Sequence, residues 1–209
     1  MTGSGEIQSL EELLGRDVPR ETLARLERYI ALLLEENRRQ NLIASASEAS
    51  LWNRHILDGA QLLSLGGETG TWLDIGSGAG LPGLVIAILG GQPTTLNEPR
   101  RLRAEFLRRV VADLELARVE VAECKVERLA GRFDRITARA VARLDRLFAM
   151  ASHLTHKETK WVLPKGERAE SELDEARRTW QGSFHLVPSR THPASAVVIA
   201  EHVKRRGKR

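Results

Sequence analysis

Residues Trp72 to Gly83 read WLDIGSGAGLPG, and this stretch decides the fold. A short apolar run, an aspartate and then glycines at 76, 78, 80 and 83 spell a strand, a tight turn and the start of a helix. Glycines there let the backbone turn with positive φ and come close to a ligand, and the helix start offers unpaired N–H groups to an anion. Pro82 suits the first turn of a helix, where its missing N–H costs little. A glycine turn alone is a weak signal, and the acids on either side of it sharpen the reading.

Asp74 precedes the glycines and Glu98 closes the next apolar segment, so two carboxylates converge on the carboxyl ends of adjacent strands. Glu98 is placed for a pair of ribose hydroxyls. NAD would use that ribose acid too, but an anionic dinucleotide gains nothing from a charge at Asp74. S-adenosylmethionine carries an ammonium and a sulfonium against one carboxylate, so it is favoured by an acid beside the turn. No Gly-Lys-Ser/Thr follows, which speaks against a P-loop. Asp74, Gly76, Gly78, Gly80 and Glu98 are therefore the candidate cofactor residues.

Outward from the turn, strands and helices alternate. Strands are expected at 71–75, 94–97, 118–122, 135–138, 161–163, 185–187 and 196–203, with helices from Pro82, over 100–114, from Leu144 and through Trp180. The last two strands have no helix between them and should pair antiparallel. The expected fold is α/β: a seven-stranded, doubly wound, Rossmann-like sheet. The first 65 residues read as helical, with Leu23, Leu26, Ile30, Leu33 and Leu34 at helical spacing behind Pro19. The chain thus divides into a helical extension over 1–66, a domain over 67–203 and a basic tail over 204–209.

The 209 residues suffice for one domain with a buried core. A single cysteine, Cys124, excludes a disulfide framework, and the N-terminus lacks the pattern of a secretion signal. With no stretch near 18 continuous apolar residues, a soluble cytoplasmic protein is expected, acting as a monomer. Net charge is +4, from 32 Lys+Arg against 28 Asp+Glu. Arg100, Arg101, Arg103, Arg108 and Arg109 crowd one segment, and Lys204, Arg205, Arg206, Lys208 and Arg209 crowd the end. Such clusters suit a polyanion, although 26 of the 32 cations are arginines and that bias can arise from genome composition.

If the cofactor donates a methyl group, the nucleophile decides what the protein must supply. An exocyclic amine commonly calls for an Asn/Asp-Pro-Pro-aromatic clamp after the fourth strand, where this chain has Thr137-Ala138-Arg139-Ala140. A pyrimidine carbon needs a nucleophilic cysteine, and Cys124 lacks the proline that often precedes one. A ring nitrogen such as guanine N7 has an outward lone pair and no proton to lose, so it needs positioning rather than a base. Arg139, the candidate catalytic residue, would lie at the mouth of the cleft, where its fork could hold a phosphate, guanine O6 or the cofactor carboxylate. The plainer alternative is an ion pair with Asp134 or Asp145. Lys165-Gly166 offers a second cation at the same edge, and Arg54, His55 and Asp58 fall within one helical turn. His153 and His156 lack a third ligand, so no metal site is expected.

Taken together these residues resemble the bacterial small-subunit rRNA guanine-N7 methyltransferase G family, also called glucose-inhibited division protein B. The likeness runs from Asn41-Leu42 through Arg54-His55-Ile56-Leu57-Asp58, WLDIGSGAGLPG, Glu98, Arg103 to Leu107, Val126-Glu127, Arg139-Ala140 and Lys165-Gly166. It implies a class I S-adenosylmethionine-dependent methyltransferase fold and a target guanine in the decoding-region loop of 16S rRNA, free or in the small ribosomal subunit. By position it implies Gly76 and Leu81 at the methionine part, Glu98 at the ribose, Val126 and Glu127 at the adenine end, and Arg139 at cofactor or guanine. Arg54, His55, Asp58, Arg100, Arg101 and Lys165 would then face RNA. Three positions depart from the family pattern: Ala138 and Gly59 where serine is usual, and Ile43 where threonine is usual. Alternatives are a methyltransferase for a small molecule or protein, a non-catalytic RNA-binding assembly factor, and an NAD-linked oxidoreductase.

Overall fold

The four residues Trp72–Ile75 are buried on both faces, as the central strand of a parallel sheet must be. In the computed structural model, which describes residues 3–48 and 50–207, this strand, β1, is flanked by β2 (Thr94–Asn97) and β4 (Arg135–Ala138). With β3 (Val119–Ala122), β5 (Lys160–Lys165), β6 (Trp180–Pro188) and β7 (Ala196–Arg205) they form one seven-stranded sheet in the order β3-β2-β1-β4-β5-β7-β6. β7 runs antiparallel between β5 and β6. Helices α4 (Gly83–Gly90), α5 (Arg101–Asp113), α6 (Leu144–Ala151) and α7 (Ala169–Thr179) connect the strands.

Alternation along the strands assigns side chains to faces. Leu73, Ile75 and Ile136 join α6 and α7 in one core, while Trp72 and Leu96 join the other with α4 and α5. That second core also takes Leu10 and Leu13 of α1 (Ser4–Leu14), Leu26, Tyr29 and Leu33 of α2 (Arg20–Gln40), and Leu62 and Leu63 of α3 (Leu57–Gly66). The N-terminal helices thus share a core with the sheet. Asp74 and Thr137, partners across β1 and β4, face this helical layer. The buried stripe of α2 passes through Tyr29 rather than through the half-buried Ile30 named by spacing alone.

Three local readings are corrected. The segment before α3 is a π-helical turn, Trp52–Ile56, closed by the Leu57 N–H on the Trp52 carbonyl. Helix α7 ends at Thr179, so β6 begins at Trp180, and its ladder with β7 is far longer than residues 185–187. The tail assigned to 204–209 begins inside β7: Lys204 lies opposite Gln181 and Arg205 opposite Trp180, and the Arg206 N–H donates to the Thr179 carbonyl at 2.8 Å. Lys208 and Arg209 lie outside the described residues.

Gly59 has a packing reason. A Cβ there would stand 2.6 Å from both Cβ and Cγ1 of Val85, where α3 meets α4. Glycine at 59 and valine at 85 therefore belong together. Gly59→Ser would force the two helices apart and should cost about 1–3 kcal/mol through overpacking, a drop of several degrees in the thermal midpoint. A melt unchanged from the parent would show that the helices have slack.

Candidate active site

The site forms where β1 ends. Gly76 and Ser77 donate their N–H groups to the Asn97 carbonyl of β2 at 2.8 and 3.0 Å, so the turn is fastened to the neighbouring strand. Gly76, Gly78 and Gly80 have φ of 68°, 56° and 92°, where an L side chain is strained. Each also sits in a different environment. A Cβ on Gly76 would meet Val141 Cγ2 at 2.6 Å, whereas one on Gly78 finds nothing nearer than 3.7 Å. The constraint at Gly78 is therefore conformational, with open space in front of it.

Glu98 is buried and clasps the turn. Its Oε2 accepts the Gly78 N–H at 2.9 Å and its Oε1 accepts the Arg100 N–H at 2.8 Å. A carboxylate oxygen holds further lone pairs beyond one such bond, so Glu98 keeps capacity for ligand hydroxyls. Asp74 Oδ2 accepts the Gly83 N–H at 3.1 Å, while Asp74 Oδ1 is buried with no partner. The hydroxyl of Thr137 is likewise unpartnered. Burial pushes the Asp74 carboxyl up to about 7. Leu81 and Val126 are buried, Val126 on a 3₁₀ turn with the exposed Glu127 beside it, after β3. Asp74, Gly76, Gly78, Gly80 and Glu98 thus meet at one turn at the carboxyl edge of the sheet, while Val126 and Glu127 follow β3.

Arg139 follows β4 on the Asp74 face, since 135, 137 and 139 alternate together. Its partners are neither Asp134, which binds Thr71 and His156, nor Asp145, which accepts from the Trp180 indole. Arg139 Nη1 lies 2.8 Å from His55 Nδ1 and 3.9 Å from Asp58 Oδ2. A guanidinium only donates, so His55 accepts at Nδ1 and carries its proton on Nε2. Burial and the Arg139 charge hold the His55 pKa down at about 4, and the ring is neutral at pH 7. Burial also lowers the Arg139 pKa, opposed by Asp58.

This group opens into a cavity of about 880 Å³ whose walls include Arg54, His55, Asp58, Arg139, Lys165 and Thr191. Val141, which touches the glycine turn, also lines it. Three of the residues named for RNA are engaged within the protein, the buried His55 with Arg139 among them. Lys165 Nζ donates to the Ala142 carbonyl at 2.8 Å and pairs with Glu172 at 2.9 Å, both side chains largely buried. Asp58 accepts from the Thr191 hydroxyl. Arg54 is exposed on the cavity wall, Arg100 is exposed two residues after Glu98, and Arg101 reaches Glu105 at 3.4 Å. Sequence reasoning missed Tyr29, whose buried hydroxyl donates to the Ala79 carbonyl at 2.9 Å and ties α2 to the turn. A lone hydroxyl inside an apolar stripe was its signal. Thr191, 133 residues from Asp58, had none.

The strand order with β7 reversed, together with the glycine turn flanked by Asp74 and Glu98, is the Rossmann-like fold of class I methyltransferases. Solved structures agree in fold: a variant of MtNAS in complex with S-adenosylmethionine superposes with TM-score 0.59 at 16% identity over 94% of this chain and 83% of that one. The glycopeptide N-methyltransferase MtfA with sinefungin gives 0.58 at 12% identity, covering 68% and 91%. Within that class the chain belongs to the rRNA small subunit methyltransferase G family, whose profile matches residues 22–195. The ribosomal RNA small subunit methyltransferase G of Rhizorhabdus wittichii is 47% identical over 196 residues, 91% of this chain and 90% of the relative. That of Zymomonas mobilis subsp. mobilis is 41% identical over 213 residues, covering 97% and 95%.

The Asp74 environment has a consequence for stability. A carboxyl raised from 3.8 to about 7 binds its proton more tightly folded than unfolded, so its contribution worsens as pH rises from about 4 to about 7. Asp74→Asn, which cannot ionise, should gain on the parent across that window. Thermal melts at pH 5 and pH 8 without ligand should show the difference between variant and parent shifting in favour of asparagine. A constant difference would mean that the carboxylate is solvated.

Proposed function

We propose that this protein transfers a methyl group from S-adenosylmethionine to N7 of a guanine in the decoding-region loop of 16S rRNA. Family membership supports the rRNA assignment, and the observation that carries the target atom is the Arg139–His55 pair. The nitrogen of His55 that could act as a base is occupied by a guanidinium, and burial keeps the ring neutral. A site whose histidine is not available as a base suits a nucleophile with no proton to lose. A small ribosomal subunit or its precursor would be met in the cytoplasm; among the described residues no helix is long and apolar enough to cross a membrane.

The residues present fit the cofactor. Glu98 would take the ribose hydroxyls, the unpartnered Asp74 Oδ1 and its neighbour Thr137 would meet the polar end of the methionine part, and Val126 with Glu127 would border the adenine. When bound, S-adenosylmethionine supplies an electrophilic methyl on a sulfonium. The protein's own work is placement: the clamped turn fixes one partner and the cavity holds the base, with water excluded from the line between them. Arg139 donates toward O6 or a neighbouring phosphate and so holds the ring in line for attack by N7. His55 keeps the guanidinium in place and takes no proton.

Mass mapping of 16S rRNA from cells with and without this protein tests the assignment; an unchanged map overturns it. Arg139→Ala should lower turnover by about 10² to 10³, the scale of one lost preorganised contact. Arg139→Lys should restore little, because a point charge does not reproduce a planar fork. In Asp74→Asn, which removes the carboxyl that titrates at about 7, the pH profile should be flat through neutrality, and a profile governed by His55 would sink the mechanism in which His55 takes no proton.

Glu98→Gln should weaken S-adenosylmethionine binding by about 1–3 kcal/mol through loss of charge-assisted bonds. Titration calorimetry reads this directly. Equal affinities would remove Glu98 from the ribose site.

A further inference from the structure

A second cavity, of about 940 Å³, lies at the other edge of the sheet. It opens beside the first residues of β5 and the last of β7, whereas the glycine turn and Arg139 stand at the carboxyl ends of the parallel strands. The six residues of β5 separate the two openings by roughly 15–20 Å. Its walls carry Arg132, Lys157, Lys204 and Arg205 with His156 and His202, and no carboxylate among the described residues.

The carboxylates nearest to it are already committed. Asp134 accepts from Thr71 and His156, Glu201 lies 3.6 Å from Lys160, and Glu158 lies 3.7 Å from Lys157. Arg132, Lys204 and Arg205 have no ion-pair partner among the described residues; Arg132 donates only to the Thr155 carbonyl, at 2.6 Å.

The backbone presents these cations in a fixed arrangement. The β6/β7 ladder shifts register between Gln181 and Ser183, so that His202 and Val203 oppose the single Gly182. His202 takes φ 55°, unusual for a residue with a side chain, and its Nδ1 is hydrogen bonded to the Lys157 carbonyl at 2.9 Å. Gly182 is required there, because a Cβ would fall 2.7 Å from the Glu201 carbonyl oxygen. Such a bulge re-aims the strand beyond it, and the residues immediately beyond are Lys204 and Arg205. Ladder pairing with Gln181 and Trp180 then holds the backbone of both, so their side chains start from a rigid frame rather than a mobile end.

We propose that this cavity is a second RNA-contact site, which takes backbone phosphates of the substrate RNA at a distance from the methylated base. The proposal rests on the rRNA reading above. Exposed cations without ion pairs, gathered around one cavity, recognise closely spaced phosphates irrespective of base sequence. A membrane surface is the poorer fit, since the exposed large apolar residues among those described, Leu102 and Leu186, line neither this cavity nor its rim. The site contributes affinity and register, and leaves the chemistry to the opposite edge.

The test is direct binding of the full-length protein to 16S rRNA at several salt concentrations, with the triple variant Arg132→Gln/Lys204→Gln/Arg205→Gln. Affinity at about 0.1 M salt should fall at least roughly tenfold, and the slope of log K against log salt should flatten by about 2 to 3 as those phosphates lose their partners. S-adenosylmethionine affinity, the thermal midpoint and kcat at saturating RNA should stay at the parent level while KM rises. A second variant, Lys204→Glu/Arg205→Glu, should weaken binding further. Unchanged slope and affinity in both variants would overturn the proposal, as would loss of binding to anionic phosphatidylserine vesicles with RNA binding intact. Binding is read without methylation, so a parent protein that binds rRNA by this cavity yet leaves guanine N7 unmodified would defeat the functional reading and leave this one standing.

Discussion

Two carboxylates hold one turn, and the architecture of the site depends on that clamp. Glu98 accepts the N–H of Gly78 and Asp74 accepts the N–H of Gly83, so a segment with three positive-φ glycines is fixed at both ends by side chains from adjacent strands. Hydrogen bonds to a charged acceptor are worth roughly twice their neutral counterparts. Here they also offset the strain of the backbone they hold. Neither acid is spent by this role. Glu98 retains lone pairs facing the open side of Gly78, and Asp74 leaves one oxygen without any partner. A buried oxygen without a hydrogen bond is costly unless something meets it, and under the proposed function the polar end of the cofactor would meet it.

The N-terminal helices belong to this arrangement and are more than an added cover. Tyr29 of α2 bonds the Ala79 carbonyl within the turn, and His55 of the π-helical turn receives Arg139 from the end of β4. π-helical turns insert an extra residue into a helix and are frequent at functional sites. Here the extra residue brings Arg54 and His55 to the cavity while Trp52 and Ile56 stay in the core. Separating the helices from the sheet would break the shared core and strip Arg139 of its neutral partner at the same time. The division at residue 66 is therefore one of sequence pattern, while the packing is continuous.

The parts of the fold readable in sequence were those governed by local periodicity and turn chemistry. The apolar run of β1, the glycines after it and the absence of a helix between the last two strands led to the right sheet, with β7 antiparallel. The parts that were not readable depend on partners far along the chain. Whether Lys165 is a free cation or half of a buried pair is decided by Glu172 and the Ala142 carbonyl, and the fate of Asp58 by Thr191. The extent of β6 was missed because exposed residues such as Gln181 carry no apolar alternation, and only pairing with β7 makes them a strand. Gly59, a departure from the family pattern, becomes intelligible only beside Val85.

Net charge says less about an RNA partner than the fate of each cation. Arg109 is bound to Glu36 at 2.5 Å and Arg28 to Asp113 at 2.5 Å, joining α2 to α5, and Arg108 is bound to Glu123 at 2.8 Å. Arg28 and Arg109 staple α2 to α5; Glu36 is buried beneath Arg109, whereas the more exposed pairs of Arg28 and Arg108 add at most about 1 kcal/mol each. Among the described residues without an ion pair, Arg54 lines the cavity beside Arg139 and Arg132, Lys204 and Arg205 line the opposite cavity, while others such as Arg38, Arg128 and Arg178 are exposed elsewhere. A net charge of only +4 can therefore coexist with unpaired cations lining cavities at opposite ends of one sheet. A polyanion that touched both would be held in a single orientation, which is the requirement of an enzyme that must act on one nucleotide of a long RNA.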